Sequence, residues 1–171
     1  MGSIGIPKVV RRGRQIYMGI RFETPFRGAS RAIAAQARRM ERWGAEHGVR
    51  RAGLPFLRYH VIDMEGTMVL SYCIPVRKRM PADGDVKPGE LPAGRFAALV
   101  YSGGGIAGNR ALIEWARAQG FAFDRRSSAE GDRFRARYET VLTDPASEPR
   151  RSRWEIEVAI KLADRRRASD R

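Results

Sequence analysis

Cysteine is almost absent from this chain. Cys73 is the only one, so no internal disulfide can form, and zinc-type Cys/His spacing is missing. Flanked by Tyr72 and Ile74, with no histidine or glycine-rich turn beside it, Cys73 reads as a small buried apolar residue rather than a nucleophile. Histidine is nearly as scarce, with only His47 and His60. A lone histidine is more often a hydrogen-bonded structural group than a ligand, so neither metal nor cofactor is expected. Long hydrophobic runs are also missing, and none approaches the ~20 residues that cross a bilayer. Met1 to Pro7 lacks the basic-then-apolar order of a secretory signal. These absences lead to the expectation of a cytoplasmic protein with no membrane partner. Gly103-Gly104-Gly105 has no following lysine and hydroxyl, which excludes a phosphate-binding loop. Lysine occurs only at Lys8, Lys78, Lys87 and Lys161, so arginine supplies the rest of the 33 basic residues.

What is present describes a globular chain. Its 171 residues are 43% hydrophobic and 30% charged, enough for one domain or two small fused subdomains. The net charge of +14 raises nucleic acid as a partner. However, the arginines are spread along the chain, with no helix-turn-helix, zinc finger or aromatic RNA-binding signature, so direct nucleic-acid binding is not expected.

The stretch from Arg153 to Leu162 alternates clearly. Trp154, Ile156, Val158, Ile160 and Leu162 fall on one face of a strand, and Glu155, Glu157, Ala159 and Lys161 on the other. The first face must meet a core. The second carries two carboxylates in a basic chain, Glu157 deeper than Glu155. A shielded carboxylate attracts a cation or works as an acid or base. Taken alone, the strand favours the plainer reading of a solvated sheet face.

The rest of the chain reads as two similar halves. The first has an extended segment from Lys8 to Phe22 broken near Gly13, a helix to about His47 stopped by Gly48, and a hairpin of Pro55–Asp63 with Met68–Val76. A Pro/Gly/Asp-rich stretch then links it to the second. That half has a strand from Leu91 to Tyr101, a helix capped by Asn109 and ending at Gly120, a polar loop over Arg125–Asp132, and strands over Phe134–Asp144 and Arg153–Leu162. Trp43 and Trp115 stand five residues before Gly48 and Gly120 respectively. The expected fold is α+β: two strand-helix-strand-strand repeats in a pseudo-two-fold arrangement, an antiparallel sheet with helices packed on it, and a groove between the repeats. Residues 1–171 form one domain, with repeats over 8–78 and 91–163, a link over 79–90 and a charged, disordered tail over 164–171.

These motifs, in this order, resemble the GyrI-like family, which shares a fold with the effector-binding domains of AraC- and MerR-type multidrug transcription activators. Leu91-Pro92-Ala93-Gly94-Arg95-Phe96-Ala97 is similar to the family's "lPAGryA" opening, and Ala111 to Trp115 to its helix with a late tryptophan. Tyr138 to Pro145 resembles its "E-x-Y-x-x-dP" strand and turn, and Glu155 to Leu162 its final "E-i-x-i-P-l" strand. Ser71 to Val76 carries the likeness into the first half. Val141 departs from the family's tyrosine and Lys161 from its final-strand proline.

The resemblance implies an inter-repeat groove for lipophilic, cationic aromatic small molecules, with the family's ligand-facing glutamate at Glu157. Trp115, Tyr138, Tyr59 and Phe56 are the expected aromatic neighbours. On helix faces or strands, the same residues also suit ordinary core packing. No DNA-binding domain precedes the module, so the expectation is a stand-alone protein that sequesters or senses its ligand. A subset of the family hydrolyses cyclopropane-bearing DNA-alkylating toxins, which would make Glu157 catalytic. A gyrase-inhibitor-type module with a protein partner is a third alternative.

Overall fold

The structure is a computed structural model that describes residues 2–164. The tail expected over 164–171 therefore lies, apart from Asp164, outside the described residues.

Two halves share one antiparallel sheet. The first contributes β1 (Lys8–Arg12), β2 (Gln15–Pro25), α1 (Ala29–Glu46), β3 (Phe56–Ile62) and β4 (Thr67–Pro75). The second contributes β5 (Val86–Leu91), β6 (Gly94–Ser102), α2 (Gly105–Ala118), β7 (Arg125–Ser128), β8 (Gly131–Phe134), β9 (Arg137–Val141) and β10 (Glu155–Lys161). The sheet order is β1-β6-β10-β9-β3-β4-β2-β5, with the β7–β8 hairpin attached beside β3. Outward from the central β9·β3 pair, the order is β10, β6, β1 on one side and β4, β2, β5 on the other. Each strand-helix-strand-strand unit therefore occupies one wing.

The edge strands are exchanged. β1 leads into the first unit but pairs with β6 of the second, Lys8 opposite Ala98. β5 leads into the second unit but pairs with β2 of the first, Gln15 opposite Leu91. Thus the expected break near Gly13 is complete, and the first extended segment is two strands in different wings. Val86–Leu91, partly within the stretch expected to link the halves, is the edge strand β5. The polar loop expected over Arg125–Asp132 is mostly β7 and β8, which extend the far end of β3 through Val61 opposite Arg133.

The exchange has a geometric consequence. Only Gly13 and Arg14 separate β1 from β2, and only Pro92 and Ala93 separate β5 from β6. Each pair lies six strand steps apart in the sheet. In a flat sheet that distance is roughly 29 Å, whereas two linking residues span about 11 Å. The sheet must curl until its edges approach.

Curling gives the helix-free face a core of its own. Tyr17, Phe56, Cys73, Leu91, Phe96, Ala98, Tyr138 and Ala159 pack there, joined by ring contacts of Phe56 with Tyr17 (5.4 Å) and Tyr138 (5.3 Å). The other face carries the helices. α1 sets Met40 and Trp43 on Met18, Ile20 and Ile74, and Leu112 of α2 packs on Leu99, Val158 and Ile160. The second face of β10, expected to be wet or groove-facing, is thus largely buried: Ala159 is in the helix-free core. Lys161 is 5% exposed, its Nζ donating to Asp124 Oδ2 at 3.0 Å.

α2 begins at Gly105 rather than with Asn109 as its cap, because the preceding glycines let the chain turn tightly onto the sheet. Gly108 lies against the ring of Tyr101, and any side chain there would overlap the ring. Gly108→Ala should therefore lower stability by about 1–3 kcal/mol through overpacking, despite the helix-propensity gain of about 1 kcal/mol that alanine normally brings. Urea denaturation of both proteins checks this, and a stabilised alanine variant would contradict the packing.

Candidate functional site

Period-two alternation sorts the candidate residues by face. Tyr138 stands opposite Ala159 and Arg58 on the helix-free side, whereas Glu139 stands opposite Val158 and Leu57, residues that pack under the helices. Glu157 lies opposite Thr140 and Val100, on the helix-free side with Tyr138 and Phe56. Tyr59 packs with the cluster beneath α1. Trp115 belongs to the core beneath α2, its ring 5.9 Å from Phe121. The five residues expected to share one groove are therefore divided between two faces. Neighbouring residues of a strand cannot point the same way, and the strand register that decides this is a tertiary property.

On the helix-free side, a cavity of about 410 Å³ opens where the curled edges meet, lined by Arg12, Leu91, Phe56, Phe96, Tyr138 and Thr140 among others. Its polar corner is already satisfied. Arg12 Nη2 lies 2.6 Å from Glu157 Oε1, and Arg12 Nη1 donates to the Tyr138 hydroxyl at 2.6 Å. Arg12 reaches this corner because β1 is exchanged into the second wing. Glu157 is shielded, with its side chain 17% exposed, but its charge is met from within the chain.

The helix side holds a different arrangement. α1 packs on β2 and β4, while α2 packs on β6 and β10. Between them runs the strip formed by β9 and β3, where the two repeats meet. Glu139 stands on this strip, accepting hydrogen bonds from the Tyr59 hydroxyl (3.2 Å) and from Asn109 Nδ2 (2.9 Å). Asn109 also donates to Gly105 O at 2.9 Å, which fixes its amide one turn into α2. Burial, and after it the Glu139 carboxylate, push the phenols of Tyr59 and Tyr101 well above their ordinary range. Both hydroxyls stay protonated as donors at any ordinary pH. Arg137, on the same face of β9, completes the group. Its Nη2 donates to Asn109 Oδ1 at 2.6 Å, and its guanidinium lies over the rings of Phe134 (4.8 Å) and Tyr59 (6.0 Å). Glu139, Tyr59, Arg137 and Phe134 are all half-buried, so the strip is screened yet open to solvent.

A family model for the GyrI-like small molecule binding domain matches residues 7–163. The chain belongs to the GyrI-like family. No curated protein matches it at significant similarity. Among solved structures, the EcmrR C-terminal domain is similar at 14% identity and a TM-score of 0.65, covering 94% of this chain and 99% of that one. EcmrR in its DNA complex gives 15% identity and a TM-score of 0.68. There the match covers 94% of this chain, which spans 58% of the EcmrR chain. SAV2435 bound to tetraphenylphosphonium gives 10% identity and a TM-score of 0.54, with 92% and 94% covered. At these identities the likeness establishes the fold.

In this GyrI-like domain, Glu139, Tyr101, Asn109 and Arg137 gather on the helix side without having been among the residues expected to line a groove. One signal was available for Glu139. The "E-x-Y-x-x-dP" motif begins with a glutamate, and this chain keeps it at Glu139 while losing the tyrosine at Val141. Glu139 leaves the opposite face of β9 from its neighbour Tyr138, so a groove built around Tyr138 does not include it.

His60 is structural. Its Nε2 lies 2.8 Å from Ser71 Oγ, and burial, with repulsion from Arg58 and Arg21, lowers its pKa to about 3. An unfolded histidine titrates near 6.5. Between these values the unfolded chain binds the extra proton, so this contribution is complete above about pH 6.5 and is lost as pH falls toward 3. Unfolding free energies should drop by up to about 1.4 kcal/mol per pH unit in that window, with a shallower slope for His60→Gln. Equal slopes in the two proteins would show that His60 is not held neutral.

Proposed function

We propose that this GyrI-like domain binds a lipophilic aromatic small molecule, a delocalised organic cation in the first instance, on the strip between α1 and α2. It would act as a sensing or sequestering module. The observation that carries the reading is Glu139: a half-buried carboxylate held by the Tyr59 hydroxyl and the Asn109 amide at the junction of the repeats. A carboxylate withdrawn from water favours a positive guest. Aromatic faces add about 0.5–2 kcal/mol per cation–ring contact and large apolar area. Glu157 supports the reading less well because Arg12 already neutralises it. The tetraphenylphosphonium-bound SAV2435 has the same fold, and its guest belongs to the chemical class that such a strip suits.

Titration with tetraphenylphosphonium, read by intrinsic fluorescence, tests this. Glu139→Gln should weaken binding at least about tenfold, or about 1.4 kcal/mol, while Glu157→Gln should change it by no more than about twofold, under 0.5 kcal/mol. A loss confined to Glu157→Gln would move the site to the helix-free cavity.

One contact favours a second reading. The Tyr59 hydroxyl and Glu139 form the pair that hydrolysis of a reactive electrophile requires, the carboxylate to position water and the hydroxyl to polarise a carbonyl. Multiple turnovers on a cyclopropane-bearing alkylating agent, abolished by Glu139→Gln, would establish catalysis; uptake that stops at one equivalent without product would leave binding alone.

A further inference from the structure

The strip already contains a cation. Arg137 stands two residues before Glu139 on β9, so both side chains leave the same face of the strand. Its guanidinium lies over the Phe134 ring at 4.8 Å and the Tyr59 ring at 6.0 Å. Asn109 stands between the two charges, accepting from Arg137 through Oδ1 at 2.6 Å and donating to Glu139 Oε1 at 2.9 Å. These are the features an organic cation would seek there: two ring faces and a nearby carboxylate, with water partly excluded.

We infer that Arg137 is a tethered competitor that occupies the seat of a cationic guest and sets which ligands the site accepts. The inference rests on the reading that the strip is the ligand site. A group attached to the chain is present at high effective concentration, so a free cation must displace it or share one carboxylate with it. Sharing is opposed by like-charge repulsion in a shielded place. Small cations with little ring surface cannot repay that displacement. A large aromatic cation can, because it offers more apolar contact than the guanidinium it removes. Arg137 is half-buried and its side chain is long, so a swing outward needs no backbone change. The other charges facing it, Arg125 and Asp132, lie on the adjoining β7–β8 hairpin and form an ion pair at 2.9 Å.

The test compares a cationic and a neutral aryl-phosphorus probe, tetraphenylphosphonium and triphenylphosphine oxide, on wild type, Arg137→Gln, Arg137→Met, Glu139→Gln and Arg137→Gln/Glu139→Gln. Thermal melts establish that each variant is folded. Arg137→Gln keeps a hydrogen-bonding group for Asn109 and removes the charge. The expected result is cation binding tighter by at least about tenfold in both Arg137 single variants, neutral-probe binding changed by less than about threefold, and loss of the cation gain in the double variant. Equal tightening of both probes would overturn the inference, because Arg137 would then only fill space. If Arg137→Gln leaves cation affinity unchanged while Glu139→Gln weakens it, the ligand site stands and the tethered competitor falls. If no folded protein binds either probe, both fall.

Discussion

Exchange of the edge strands governs the shape of the sheet. Two links of two residues each must connect strands that lie six places apart, so the sheet closes toward itself. Closure turns the helix-free face inward and gives it a core of rings around Phe56, Phe96 and Tyr138. Neither wing could make that core alone, because each lends the other its outermost strand. The two halves are thereby joined through both edges of the sheet as well as through the central β9·β3 pair. Closure leaves the inner face with a core of rings and a cavity of about 410 Å³, and the other surface of the β9·β3 junction is the strip between the helices.

Charge is distributed to match. Each face carries a shielded glutamate and an arginine, but they are related differently. On the inner face, Arg12 meets Glu157 directly at 2.6 Å and shares Tyr138. That pair is complete and holds β1 against the second wing. On the helix side, the link between Arg137 and Glu139 runs through Asn109, and the arginine rests on aromatic faces. Such a link can be broken and replaced by a guest without stranding a carboxylate among apolar groups. A movable internal cation lets the carboxylate stay compensated when the site is empty.

Much of the fold was legible in the sequence because it rests on local periodicity. The alternation from Ile156 to Leu162, the helix ending near Gly48 and the hairpin around Glu65-Gly66 all correspond to observed elements. What the sequence could not reveal was pairing across long separations. Nothing local says that Val9 faces Ala97 rather than a strand of its own half, or that the strand after Asp85 joins β2. The same gap affected the site. The family resemblance points to Glu157, and the strand pattern around it gives two faces without saying which one the helices cover. Here Ala159 and Lys161, on the face expected to be wet, are buried, as Val158 and Ile160 are on the other. Asn109 was read as a helix cap because asparagine favours that position. The glycines before it start the helix one turn earlier, which frees its amide to bridge Arg137 and Glu139.

A ring-labelled tyrosine NMR spectrum recorded during titration with tetraphenylphosphonium separates the two faces. Tyr59 and Tyr101 lie on the helix side around Glu139, while Tyr17 and Tyr138 lie in the helix-free core. Binding on the strip predicts saturable shifts of the Tyr59 and Tyr101 ring signals, with Tyr17 and Tyr138 unmoved. Shifts confined to Tyr17 and Tyr138 would place the guest in the inner cavity and contradict it.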